Sequence, residues 1–116
     1  MNNFIGNNCY CMNSLGFDDC RKNGCLVDRD IIKYQTQKFI EAVSEEIKKA
    51  RAKFPHNDVQ MIALVEEVGE LAKALMDESN ENVWKEAVQV ATMALRVAVD
   101  KDMSVVQLRK RKGLDV

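Results

Sequence analysis

The chain has 116 residues, a length that fits one domain. Hydrophobic residues make up 47%, enough for a core, and a formal net charge of −1 excludes a general electrostatic magnet for nucleic acid. No apolar run is long enough to span a bilayer, and the start Met1-Asn2-Asn3-Phe4-Ile5-Gly6 lacks the basic and apolar regions of a signal peptide, so the expected location is cytoplasmic.

Residues 1–27 form an Asn- and Gly-rich arm without helical period, and all four cysteines, Cys9, Cys11, Cys20 and Cys25, lie in it. In a reducing compartment they are read as free thiols. A zinc site and disulfides remain alternatives, although paired Cys-x-x-Cys knuckles are absent. From residue 28 onward little punctuates the chain, and residues 28–116 are expected to be one all-helical domain.

Helix one is predicted from about Asp30 to Lys53, where Ile32, Phe39, Ile40, Val43, Ile47 and Ala50 recur at helical spacing. Glu45, Glu46, Lys48, Lys49 and Arg51 fall mostly on the other, solvated side. Phe54-Pro55-His56-Asn57 ends it, because a residue before proline is biased away from helix. Helix two follows to about Met76, capped by Asn57 or Asp58, with an apolar stripe of Met61, Val65, Val68, Ala72 and Leu75. Gly69 costs this helix about 1 kcal/mol relative to alanine.

The polar stretch from Asp77 to Asn82 reads as a turn, and helix three runs from Val83 to about Asp100. Apolar residues cover most of helix three, while Lys85, Glu86, Gln89, Thr92, Arg96 and Asp100 share an arc of about 100–120°. So apolar a helix needs cover on several sides, which points to a partner chain. A short helix from about Ser104 to Lys110 and the basic run Arg109 to Lys112 complete the chain. The expected fold is an all-α bundle of three long helices plus a short C-terminal helix, completed by oligomerisation.

The chemistry concentrates on helices two and three. Glu67 and Glu70 stand three apart on one helix, and Glu86 and Gln89 three apart on the next, so each pair shares a face. Neighbouring carboxylates aimed at a third repel unless a cation sits between them, which makes Glu67, Glu70 and Glu86 a candidate Mg²⁺ site. The plain alternative is solvated surface charge. Against it, Glu66 and Glu67 lack basic partners in the next turn, alanines flank the acidic run, and Glu86 lies on a helix with little free surface. The sole histidine, His56, stands in a turn, so the Glu-x-x-His pairs of a di-iron bundle are missing.

The segment Leu64-Val65-Glu66-Glu67-Val68-Gly69-Glu70-Leu71 resembles the acidic motif of the MazG-like, all-α nucleoside triphosphate pyrophosphatases, with Glu-x-x-Glu on one helix and Glu-x-x-Asp on the next. Glu67, Glu70 and Glu86 match the first three positions, and the fourth departs, being Gln89. The resemblance covers about Asp30 to Asp100 and excludes the cysteine arm. It implies a Mg²⁺-dependent hydrolase that converts a nucleoside triphosphate to a monophosphate and pyrophosphate. Glu67, Glu70, Glu86 and Gln89 would be its metal positions, Glu67 being also catalytic and Glu66 the residue that orients water. Mg²⁺ takes hard oxygen ligands and is completed by waters and substrate phosphates. Lys85 and Arg96 are candidate phosphate contacts, and Trp84 a candidate base-stacking residue, each against an ordinary surface or core role.

Gln89 brings no charge, so a second metal is the ligand most weakened. It favours the rival reading, a catalytically weak or inactive member that serves as a helical assembly module. The expected partners are a nucleoside triphosphate and further copies of the chain, as a homodimer or homotetramer. A small nucleic-acid binder needs a basic face that the charge balance does not offer, and no membrane partner is expected.

Overall fold

The computed structural model describes residues 26–116, which are helical and contain no strand. The cysteine arm, with Cys9, Cys11, Cys20 and Cys25, lies outside the described residues. Helix α1 spans Leu26–Lys53, α2 spans Gln60–Asp77, α3 spans Asn80–Val99, a 3-10 turn spans Met103–Val105 and α4 spans Val106–Arg111. Helix α1 begins four residues ahead of the expected Asp30. The chain divides into two compact units between Ile40 and Glu41, inside α1 rather than at its start. The described part of the first unit is the stretch 26–40, in which Ile32 and Tyr34 are exposed and the Lys38 ammonium lies 5.4 Å from the Tyr34 ring centre. Everything below belongs to the second unit, Glu41–Val116.

Within that unit α1 stops where the sequence says it must. The Phe54 amide makes a last bond to the Ala50 carbonyl at 2.7 Å, and Pro55 has no N–H to continue the ladder. The start of α2 differs from expectation. Neither Asn57 nor Asp58 caps it; Val59 stands at the N-cap in the left-handed region, φ 55° and ψ 30°, and provides no side-chain cap. Instead a carboxylate from 41 residues away does the work: the Met61 amide donates to Asp102 Oδ2 at 2.8 Å. The other oxygen, Oδ1, accepts from the Ser104 amide at 2.9 Å and the Ser104 hydroxyl at 2.6 Å. Asn57 is used elsewhere, donating through Nδ2 to the Asp100 carbonyl at 2.6 Å.

The turn between α2 and α3 is shorter than the polar stretch suggested, only Glu78 and Ser79. The Ser79 hydroxyl accepts from the Asn82 amide at 3.2 Å, so α3 starts at Asn80. So short a link folds α2 and α3 into a helical hairpin packed along its length. At the far end Gly113, at φ 72°, closes α4, with the Leu114 amide bonding the Arg109 carbonyl at 2.9 Å.

The interior is unusual in content. Among the described residues the buried apolar side chains are Ile47, Ala74 and Val88, and beside them Gln60, Thr92, Arg96 and Asp102 are equally buried. Helix α3 thus buries Val88, Thr92 and Arg96, a line that runs along its polar stripe. Much of its apolar girth is only half-covered, and Val99 is exposed.

Val59 carries a β-branched side chain in a conformation that L-residues avoid by about 1–2 kcal/mol. Because Val59 is half exposed and loses little packing, Val59→Gly should raise the unfolding free energy by up to about 1 kcal/mol in urea titration. Asp102→Ala should lower it by about 2 kcal/mol, since it strands the Met61 and Ser104 amides. Burial pushes the Asp102 carboxyl up, but the Ser104 hydroxyl and the amides of Met61, Ser104 and Val59 outweigh it and hold the group below its ordinary value. A carboxyl lowered in the folded state stabilises above its unfolded pKa and loses that contribution as pH falls through the folded one. The gap between wild type and Asp102→Ala should therefore narrow in acid.

Candidate functional site: an acidic pair beside a charged cleft

A cleft of about 660 Å³ opens between the end of α1, the loop after it, the first half of α2 and the middle of α3. That volume suits a small-molecule ligand. Helix α1 contributes Glu46, Lys49 and Lys53, which share one side by their spacing of three and four. The loop contributes Phe54, Pro55 and His56, and α2 contributes Glu66 and Glu67 with Ala63 beside them. Helix α3 adds Gln89, Met93 and Arg96. Cationic and anionic groups therefore line one space.

The predicted carboxylates come together in part. Glu67 and Glu86, on different helices, lie near enough for the Glu86 charge to act on Glu67. Burial, then the charges of Glu86, Glu70 and Glu66, raise the Glu67 carboxyl above its ordinary value. Protonation of Glu67 relieves that repulsion. Among the described residues no group of three His, Cys, Asp or Glu side chains forms a ready cation cage.

Comparison of the chain with family models, with curated proteins and with solved structures finds no match. The site must be judged on its own geometry.

The remaining candidates have distinct fates. Arg96 was expected to reach a phosphate, and the structure gives its guanidinium a structural task. It is 3% exposed, donates through Nε to Asp100 Oδ2 at 3.0 Å, and through Nη2 to the Phe54 and His56 carbonyls at 2.8 and 3.2 Å. Lys85 is exposed one turn before Gln89, and Trp84 is 37% exposed a residue further back. Of the cations considered on helix one, Lys49 lines the cleft. Lys48 pairs with Glu45 at 3.1 Å, and Arg51 forms a two-point bond to Asp100 at 2.7 and 3.1 Å. That contact with Arg51, assisted by Arg96, holds the Asp100 carboxyl below its ordinary value against the effect of burial.

Sequence reasoning missed Lys53 and Phe54. Lys53 stands four residues after Lys49, a spacing that marks a shared face, and its ammonium lies 5.3 Å from the Phe54 ring centre. Phe54 is 59% exposed and lines the cleft.

A carboxyl raised in the folded state stabilises below its unfolded pKa, and that stability is lost as pH rises through the folded one. At about pH 7.5 metal-free wild type therefore carries the Glu67 penalty, which Glu67→Gln removes. The variant should melt higher than wild type at that pH, and the difference should vanish near about pH 4, as read by thermal scans in chelator.

Proposed function

We propose that this chain is a divergent MazG-like nucleoside triphosphate pyrophosphohydrolase that uses Mg²⁺ and releases a nucleoside monophosphate and pyrophosphate. The observation that carries this reading is the Glu67–Glu86 carboxylate pair beside a cleft that also bears Lys49 and Lys53. Such a set of groups suits a polyphosphate, whose negative oxygens need both a metal and side-chain cations. Glu67 and Glu86 would hold Mg²⁺ with help from Glu70, and Gln89 would add a neutral oxygen. Bound there, Mg²⁺ supplies charge neutralisation and a water of lowered pKa.

The chain's own residues do the rest. Glu66, at the cleft beside Glu67, accepts a proton from the attacking water. Lys49 and Lys53 bind phosphate oxygens, and Phe54 offers a face on which a base stacks. Arg96 acts at one remove by fixing the Phe54 and His56 backbone. The setting proposed is nucleotide-pool control or removal of noncanonical nucleotides in the cytoplasm, by a homodimer or homotetramer. Among the described residues no helix is long and apolar enough to cross a membrane.

A second reading, a helical assembly module with little or no catalysis, is favoured by Gln89 and by the lack of a ready three-carboxylate cage among the described residues. Pyrophosphate release from a panel of nucleoside triphosphates, with and without Mg²⁺, separates the two. Wild type should release pyrophosphate only with the metal. Glu67→Gln should lower that rate by about 100-fold or more, since losing a direct ligand exceeds the usual effect of an outer-shell change. Lys49→Ala with Lys53→Ala should raise KM by roughly tenfold, a loss of about 1.4 kcal/mol in binding. Gln89→Asp should lower the Mg²⁺ concentration needed for half-maximal rate. Silence from wild type and from Gln89→Asp with every nucleotide would leave the assembly module as the better account.

A further inference from the structure

The buried polar side chains among the described residues are Gln60, Thr92, Arg96 and Asp102. Three of them are well provided. Thr92 donates to the Val88 carbonyl at 2.8 Å, Arg96 to Phe54 at 2.8 Å, and Asp102 accepts from Met61 at 2.8 Å. Gln60 is the exception. It stands in the first turn of α2, is 3% exposed, and lines the cleft. Its Nε2 donates to the His56 carbonyl at 3.4 Å, a long bond to an oxygen that Arg96 Nη2 already reaches at 3.2 Å. A glutamine amide has two donor hydrogens and an acceptor oxygen. Among the described residues nothing donates to that oxygen, and nothing takes the second hydrogen. A buried amide with unmet groups costs stability, so its presence at a cleft asks for a ligand.

The place of Gln60 on α2 says which part of a ligand it meets. Gln60, Ala63 and Glu67 follow at spacings of three and four, so they share a face, and all three line the cleft. From Gln60 to Glu67 is two turns, about 10 Å along the axis. Between them Ala63 presents only a methyl group. A ribose with its base extends a comparable distance from a phosphate. One end of the face thus carries a carboxylate and the other an unsatisfied amide.

We propose that Gln60 recognises the nucleobase. Its amide oxygen accepts an N–H of the base edge, and its second amide hydrogen donates to the neighbouring ring nitrogen or carbonyl. This is the two-point pairing by which an amide side chain reads a base edge in nucleic acids. The bond to His56 fixes which end of the amide donates, and so orders donor and acceptor on the ligand. The inference rests on the nucleotide reading of the cleft, and it adds the residue that tells a nucleotide from a bare sugar phosphate.

The test is calorimetric titration of the full chain, in Mg²⁺, with the common nucleoside monophosphates and with ribose 5-phosphate. Wild type should bind a monophosphate about tenfold more tightly than ribose 5-phosphate. Gln60→Met keeps the length of the side chain and removes both polar groups. It should weaken that monophosphate roughly tenfold, leave ribose 5-phosphate unchanged, and melt no lower than wild type. Analogues of the monophosphate that lack the edge N–H should lose a similar factor on wild type, an arm that reports even if Gln60→Met fails to fold. Unchanged monophosphate binding in Gln60→Met, an equal loss for both ligands, or indifference of wild type to every analogue overturns the base contact and leaves the nucleotide reading standing. A wild type that binds no monophosphate and releases no pyrophosphate in the nucleotide panel overturns that reading, and the base contact with it.

Discussion

The architecture depends on one buried cation. Arg96 enters from the last turn of α3 and binds the backbone of the loop between α1 and α2 through the Phe54 and His56 carbonyls. Its Nε meets Asp100, which takes Arg51 of α1 in a two-point contact. Three segments are thus held by one guanidinium and one carboxylate. A buried charge is tolerable only when its hydrogen bonds are filled, and here they are filled by groups that otherwise lack partners at a helix end. The position of Phe54, and with it one wall of the cleft, follows from that clamp.

Polar packing explains the uneven distribution of apolar surface. Val88, Thr92 and Arg96 occupy the line on α3 that faces inward, so the hairpin seals around a hydroxyl and a guanidinium as much as around hydrocarbon. Thr92 satisfies its hydroxyl within its own helix, on the Val88 carbonyl at 2.8 Å. The apolar residues displaced from that line are left on the flanks and on the outer side of α2. Stability bought by specific polar contacts is geometrically exacting but small in net free energy.

Local signals in the chain were legible and distant ones were not. The break at Pro55 and the stop of α2 near Met76 depend on neighbours in sequence, and both appear where periodicity placed them. The meeting of Glu67 with Glu86 was also foreseeable, because a hairpin with acidic residues on facing sides brings them together. The capping of α2 was not, since its acceptor, Asp102, lies 41 residues downstream of Met61. Arg96 looked like one more member of a polar stripe, and only the tertiary fold shows that the stripe points inward. Helix three was expected to carry the uncovered apolar face. Its partner α2 carries more of it, because helical period alone does not say which of two apolar faces wins the shared interior.

The two-residue link between α2 and α3 has a kinetic consequence. Contacts within this hairpin are close in sequence, so little loop entropy opposes their formation. The Glu67–Glu86 pair is built entirely within it. Lys49 and Lys53 belong to α1, which is tied to the hairpin's distal end through Arg51 and Asp100. The carboxylate pair and the two lysines therefore sit on segments that can form and open at different times. If α1 lifts, in the partial openings that amide exchange detects, the carboxylate pair persists while the lysines leave. The cleft can then open without the hairpin unfolding.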